Sequence, residues 1–198
     1  MNDYTVKSVT YEQLPQCLEI IHTAFSENCK KFGFTKENYP SCAAFLTLDD
    51  LIEAKRNGTH FYAVFVGDKM AGCVQLKRFD RDTYSFTRFA VLPEYQHCGF
   101  GRVLIEHCKA KAKEYNGKKM TLLMVYDNEQ LRRFYESCGL TLVRTQRDDT
   151  HPFLCGIYEI ELKSKHPQGS MSLVGADYYS FLSNMSEDSF KSSRMFKC

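Results

Sequence analysis

The sequence predicts an α+β fold, a mixed sheet with helices on its faces, and three observations carry that expectation. Apolar residues between Leu14 and Ile52 recur at helical steps, those from His60 to Leu92 alternate in twos, and from Gly101 onward the two periods take turns. A chain of 198 residues is long enough to bury one core and carry an appendage.

The elements follow in order. Thr10-x-x-Gln13 reads as a capping box opening a helix, with Leu14, Leu18, Ile21 and Phe25 as its core stripe. Residues Cys29–Phe45 are aromatic and broken by Gly33 and Pro40, so a loop or interrupted helix is expected there. Phe32, Phe34, Tyr39 and Phe45 in that stretch either wall an acceptor pocket or pack between the two helices. Thr47-x-x-Asp50 caps a short helix through Leu51, Ile52 and Lys55, stopped by Asn57-Gly58. His60–Val66, a Gly67-Asp68 turn and Met70–Arg78 form a hairpin pattern. Thr83–Leu92 is a further strand, halted by Pro93, which has no N–H for a ladder. Gly101–Tyr115 is an amphipathic helix, Met120–Tyr126 a buried strand and Asn128–Cys138 a helix closed by Gly139. Thr141–Arg147 and Phe153–Leu162 complete the pattern as strands.

After Leu162 the composition changes: residues 163–198 hold nine serines, the 162 before them five. The expected organisation is a domain over 1–162 and a Ser-rich tail over 163–198, in which Tyr178–Leu182 is apolar enough to dock.

Composition narrows the function classes. Hydrophobic residues are 43% and charged residues 25%, and 26 basic against 24 acidic side chains leave a net charge of +2. That is an ordinary globular balance with no electrostatic case for a nucleic-acid or membrane partner. No apolar run approaches bilayer length and Met1–Thr10 lacks the layout of a signal peptide, so a cytoplasmic protein is expected. Nine cysteines without a CxxC pair match neither a zinc site nor a small secreted scaffold, and no metal is expected. Cys17, Cys73, Cys108 and Cys138 read as small core hydrophobes.

The stretch that carries chemistry is Ala90–Arg102, AVLPEYQHCGFGR. A strand ends, a proline turns the chain, and Gln96-x-x-Gly99-x-Gly101 leads into a helix. The first turn of a helix leaves N–H groups without intrahelical partners and the dipole adds positive charge, which suits an anion. Gly99 and Gly101 lack a Cβ and would let a diphosphate approach the backbone, and Arg102 would add a full charge. The same residues also fit a plain helix cap. The GxxxxGK[ST] phosphate loop is absent, because Arg102 and Val103 follow Gly101, and Leu104 stands where a dinucleotide fingerprint wants its third glycine.

Around this loop the residues resemble the GNAT acetyltransferase superfamily, whose signature is a strand ending in an apolar triplet, then [RQ]-x-x-G-x-[GA], then a helix. Here these are Phe89-Ala90-Val91, Gln96-His97-Cys98-Gly99-Phe100-Gly101 and the helix from Arg102. The family's downstream strand, Asn and Tyr correspond to Met120–Tyr126, Asn128 and Tyr135, within NEQLRRFYESCGL. The resemblance extends over residues 5–162 and implies a mixed, mostly antiparallel sheet that splays between two parallel strands, with helices on both faces.

It further implies acetyl-CoA in the cleft between Thr83–Leu92 and Met120–Tyr126, with Phe89, Ala90 and Val91 pairing the pantetheine amides as a strand would. The N–H groups from Gln96 through Arg102 would hold the pyrophosphate and Asn128 the pantetheine arm. Donors near Val91 would polarise the thioester carbonyl, and Tyr135 would protonate the departing thiolate. Asn128 is equally an ordinary N-cap, Tyr135 shares the core face of Leu131 and Cys138, and Cys98 at a helix start has the position of a low-pKa thiol. Many relatives carry a Glu on the strand before the motif; Ser85-Phe86-Thr87-Arg88 has none, leaving Glu27, His22 and Tyr84 as bases or an already neutral amine as substrate. Arg88 either orients an acidic substrate group or forms a structural ion pair. The implied activity is N-acetylation of a small-molecule or peptide amine in a ternary complex, with a homodimer compatible with the family. The alternative is an acyl-CoA-binding sensor that keeps the fold without the chemistry.

Overall fold

The computed structural model describes residues 3–147 and 149–162. Its strands are β1 (Tyr4–Ser8), β2 (His60–Val66), β3 (Lys69–Arg78), β4 (Thr83–Val91), β5 (Lys119–Val125), β6 (Thr141–Gln146) and β7 (Cys155–Glu161). The helices are α1 (Leu14–Phe32), α2 (Leu48–Arg56), α3 (Phe100–Glu114) and α4 (Glu129–Ser137). The Ser-rich tail, with Tyr178–Leu182, lies outside the described residues.

The strands form one sheet in the order β1-β2-β3-β4-β5-β7-β6, antiparallel throughout except for β4 beside β5. Side chains alternate between two cores, as the pleat requires. Val74, Leu76, Phe86, Met120 and Tyr158 meet Leu104, Ile105 and Cys108 of α3 on one face. Ala63, Phe65, Cys73 and Ala90 meet Leu14, Cys17 and Ile21 of α1 and Leu51 of α2 on the other. This is the α+β architecture expected, with helices on both faces.

Three local features differ from expectation. The first is β1, which pairs with β2 from Tyr4↔Val66 to Ser8↔Tyr62. Four of its five residues are exposed, so no buried alternation marks it in the sequence. The second is the length of α1, which runs through Cys29 to Phe32 before Gly33 (φ 68°) ends it. Lys30 and Lys31 in its last turn favour the negative end of the helix dipole. At its start only half of the expected box forms: the Thr10 N–H donates to Gln13 Oε1 at 3.0 Å, and no side chain caps the helix. The Thr47/Asp50 box before α2 is complete.

The third is the aromatic segment after α1. Phe34 packs at a tilt against Phe153 and edge-to-face against Tyr39, with ring centroids 5.2 and 5.4 Å away, and Cys29, Cys42 and Cys155 complete a small third core. Phe32, Phe34, Tyr39 and Phe45 thus pack mainly with the segment before β7, over Val125 at the end of β5, rather than between the two helices. Seven of the eight described cysteines are buried and Cys98 alone is exposed.

Candidate active site

The site begins where the sheet opens. β4 and β5 pair only over Thr83–Ser85 and Lys119–Thr121. Beyond that point β4 keeps its bonds to β3 as far as Val91, and β5 its bonds to β7 as far as Val125. The facing edges of 86–91 and 122–125 are therefore left with backbone donors and acceptors and no strand between them, which is room for an extended amide-bearing chain.

At the same end β4 carries a bulge. Cys73 faces Ala90 and Gln75 faces Thr87, so Val74 alone opposes both Arg88 and Phe89. Arg88 takes φ 48°, a left-handed conformation that a side chain disfavours. A bulge leaves its extra residue out of the ladder and disrupts the pairing locally, here beside the opening. Gly72 makes the bulge possible: a Cβ there would lie 2.7 Å from the Ala90 carbonyl oxygen.

The chain then enters the anion loop. The Tyr95 N–H donates to the Leu92 carbonyl at 2.9 Å and that of Gln96 to Pro93 at 3.1 Å. Gln96 Nε2 donates to the Val91 carbonyl at 3.2 Å, tying the loop back to the strand. His97 (φ 60°) and Gly99 (φ 84°) reverse the chain, and the first helical bond runs from Val103 N–H to Gly99 oxygen at 3.1 Å. The amides of His97 through Arg102 consequently have no acceptor among the described residues. His97, Cys98 and Gly99 are exposed to solvent. A run of unbonded N–H groups at the start of the 15-residue α3 could hold an anion.

Tyr135 projects from α4 into the aromatic lining of the opening. Its ring centroid lies 5.9 Å from Phe86, 6.1 Å from Phe89 and 5.5 Å from Phe134. It is buried, and its hydroxyl makes no hydrogen bond among the described residues. Desolvation pushes the phenol well above its ordinary value, with the Cys138 thiol adding to the rise, so it holds its proton throughout the neutral range. Asn128, also buried, accepts the Leu131 N–H on Oδ1 at 3.3 Å and so caps α4.

The model of the acetyltransferase (GNAT) family matches residues 18–140, which span the bulge, the anion loop and α4. The chain belongs to the GNAT family. Its relatives agree with that assignment. It is 25% identical over 169 residues to an uncharacterised N-acetyltransferase encoded in the pepI 3′ region of Lactobacillus delbrueckii subsp. lactis, covering 79% of this chain and 92% of that protein. Its fold is similar to the ribosomal-protein-S18-alanine N-acetyltransferase of Escherichia coli, with a TM-score of 0.66 at 17% identity, covering 85% of this chain and all of that one. It is also similar to the PaiA N-acetyltransferase of Thermoplasma acidophilum solved with coenzyme A, with a TM-score of 0.64 at 16% identity over 80% of this chain and 99% of that one.

GNAT proteins use acetyl-CoA, and the residues here suit it. The six unbonded amides fit a diphosphate, and the open edges of β4 and β5 fit the amides of a pantetheine arm. The structure alters three expectations. The Gln96 N–H is already bonded to Pro93, so the free amides start at His97. The Arg102 guanidinium donates to the Ser137 carbonyl and hydroxyl, both at 3.0 Å, and its charge therefore satisfies the end of α4 rather than the loop. Gly101 lacks a Cβ for a packing reason: one would lie 3.0 Å from Phe134 and 3.1 Å from Phe89.

Of the residues considered as bases, Tyr84 is structural, accepting from Arg78 Nε at 3.2 Å and donating to the Tyr115 carbonyl at 3.4 Å. Glu27 stays on the exposed side of α1. His22 Nε2 lies 2.8 Å from the Leu46 carbonyl, so that nitrogen carries the proton and Nδ1 is the basic one. Sequence reasoning missed Phe86 and Phe134 as the lining around Tyr135, and the bulge itself. A lone glycine inside the MAGCVQLKR strand was the available sign of a close backbone approach.

Proposed function

We propose that this GNAT protein is an acetyl-CoA-dependent N-acetyltransferase that passes the acetyl group directly to a primary amine, of a small molecule or a peptide, in a ternary complex. One observation supports this above the others: the strands separate beyond Ser85 and Thr121 at the same end of the sheet where His97–Arg102 offer unbonded amides.

In this reading the 97–102 amides hold the diphosphate, the edges of Phe89, Ala90 and Val91 bind the pantetheine amides, and Asn128 adds a contact while capping α4. The amine attacks the thioester carbonyl, and backbone donors released at the bulge stabilise the oxyanion. Tyr135 gives its proton to the leaving thiolate, and its phenol, kept neutral by burial, is in the form that role needs. The amine arrives neutral or loses its proton to a base off β4, since Ser85–Arg88 contains no carboxylate.

Calorimetric titration with acetyl-CoA, paired with free-thiol release over a panel of primary amines, tests the proposal. Binding with amine-dependent release of CoA is the expected result. Binding with no release on any amine overturns catalysis and leaves a coenzyme sensor. ADP competing as well as CoA overturns acyl transfer altogether.

A further inference from the structure

The bulge on β4 places Arg88 beside the opening between β4 and β5. Thr87 and Ala90, on either side of the bulge, turn to the face of the sheet covered by α1 and α2: the Thr87 hydroxyl donates to Gln75 Oε1 at 3.4 Å, and Ala90 joins the core beneath α1. The Arg88 charge acts weakly on Asp50 in the first turn of α2, as the smallest of the causes that lower its carboxyl after the two Thr47 hydrogen bonds. The two do not bond. Asp50 Oδ2 is occupied by the Thr47 N–H and hydroxyl, each at 2.7 Å, and no carboxylate lies within 4.0 Å of the Arg88 guanidinium among the described residues. Arg88 Nε is buried and has no hydrogen-bond partner among the described residues.

A buried guanidinium nitrogen with nothing to donate to is costly, because it has lost water without gaining an acceptor. The strained φ of 48° holds this residue immediately before Phe89-Ala90-Val91, the edge assigned above to the coenzyme arm. Strain of this kind, kept next to a binding edge, points to a role at the site. We propose that Arg88 is the receptor for a carboxylate of the acceptor, so that the preferred substrates are amines carrying a carboxylate a few bonds from the nitrogen. A planar fork suits a carboxylate better than any other cationic side chain does. This inference rests on the acetyltransferase reading and extends it to the substrate class.

The test compares free amino acids, their carboxamides, and C-terminally amidated tripeptides beginning with Asp or Glu, on wild-type protein and on R88Q and R88K. Neither substitution adds backbone strain, since Gln and Lys are no more hindered at positive φ than Arg, and unchanged acetyl-CoA affinity verifies the fold. The wild type is expected to favour a carboxylate-bearing amine over its carboxamide, although the carboxamide has the more easily neutralised amine. R88Q should raise KM for that substrate about 10- to 100-fold, with little change for the carboxamide, and R88K should fall between. Preference for the amino acid or for the acidic tripeptide identifies the source of the carboxylate, and either supports the proposal. Equal use of carboxylate and carboxamide, or a parallel loss of both in R88Q, overturns it while acetyl transfer stands. Absence of turnover on all of these, with CoA released on another primary amine, overturns the proposal while acetyl transfer stands; no release on any amine overturns the acetyltransferase reading itself. Calorimetric titration of the CoA-saturated protein with the same amines then reads carboxylate binding alone, which R88Q must weaken at least about tenfold if the receptor is real.

Discussion

Tyr135 shows how one environment sets one protonation state. Burial among Phe86, Phe89 and Phe134 raises the phenol pKa, so the folded protein holds that proton more tightly than the unfolded chain does. The associated stability is complete below the ordinary phenol range near 10 and declines as pH climbs through the folded value. Tyr135→Phe keeps the ring and its contacts, so acetyl-CoA affinity should hold while kcat falls about 10²- to 10⁴-fold, measured by thiol release. An alkaline limb assignable to Tyr135 should disappear with the hydroxyl. Cys98, the exposed cysteine among those described, sits in the anion loop. Alkylating it should block acetyl-CoA binding and CoA should protect it, as peptide mapping would show, whereas Cys98→Ser should retain activity because the proposed direct transfer passes through no acyl-cysteine.

At the scale of elements, the β3–β4 pair and the start of α2 are the parts most open to test. Gly72→Ala brings a methyl against the Ala90 carbonyl oxygen and should cost about 1–3 kcal/mol in thermal or denaturant unfolding, with weaker coenzyme binding as the bulge shifts. Thr47→Ala removes one half of the capping box and should cost about 0.5–2 kcal/mol. The Thr47 side chain, first, and its N–H, second, hold the Asp50 carboxyl below its ordinary value. That stability is present above the ordinary carboxylate range and is lost as pH falls through the lower folded value, so the Thr47→Ala penalty should shrink in acid. Legibility also belongs to this scale. α2, α3 and β5 carry clear periods because each buries one face, while β2 and β3, buried on both, read as two apolar runs joined by the Gly67-Asp68 turn. β1 does not, having almost nothing buried. The bulge was hidden because Thr83–Val91 reads as an uninterrupted strand, and only its partner's register reveals the extra residue. Arg102 could not be read correctly either, since its partner Ser137 is 35 residues away.

Across the whole molecule, the proposed function rests on one parallel pair in an otherwise antiparallel sheet. A parallel connection needs a crossover, and here it is α3, whose N-terminus is thereby set at the mouth of the opening. β7 holds β5 from one side and β3 holds β4 from the other, so the strands can part without either losing its place. In the proposed reading backbone groups supply most of the coenzyme contacts, which is why a few residues around a glycine turn announce the family. No helix among the described residues is long and apolar enough to cross a membrane.

The most direct measurement is an amide NMR titration of the full chain with acetyl-CoA, following the N–H signals of His97 to Arg102 alongside those of β4 and β5. The account predicts large shifts and slowed hydrogen exchange at these six amides and at 89–91, with the Gln96 amide, already bonded to Pro93, moving less. Saturable binding that leaves 97–102 unperturbed would contradict it.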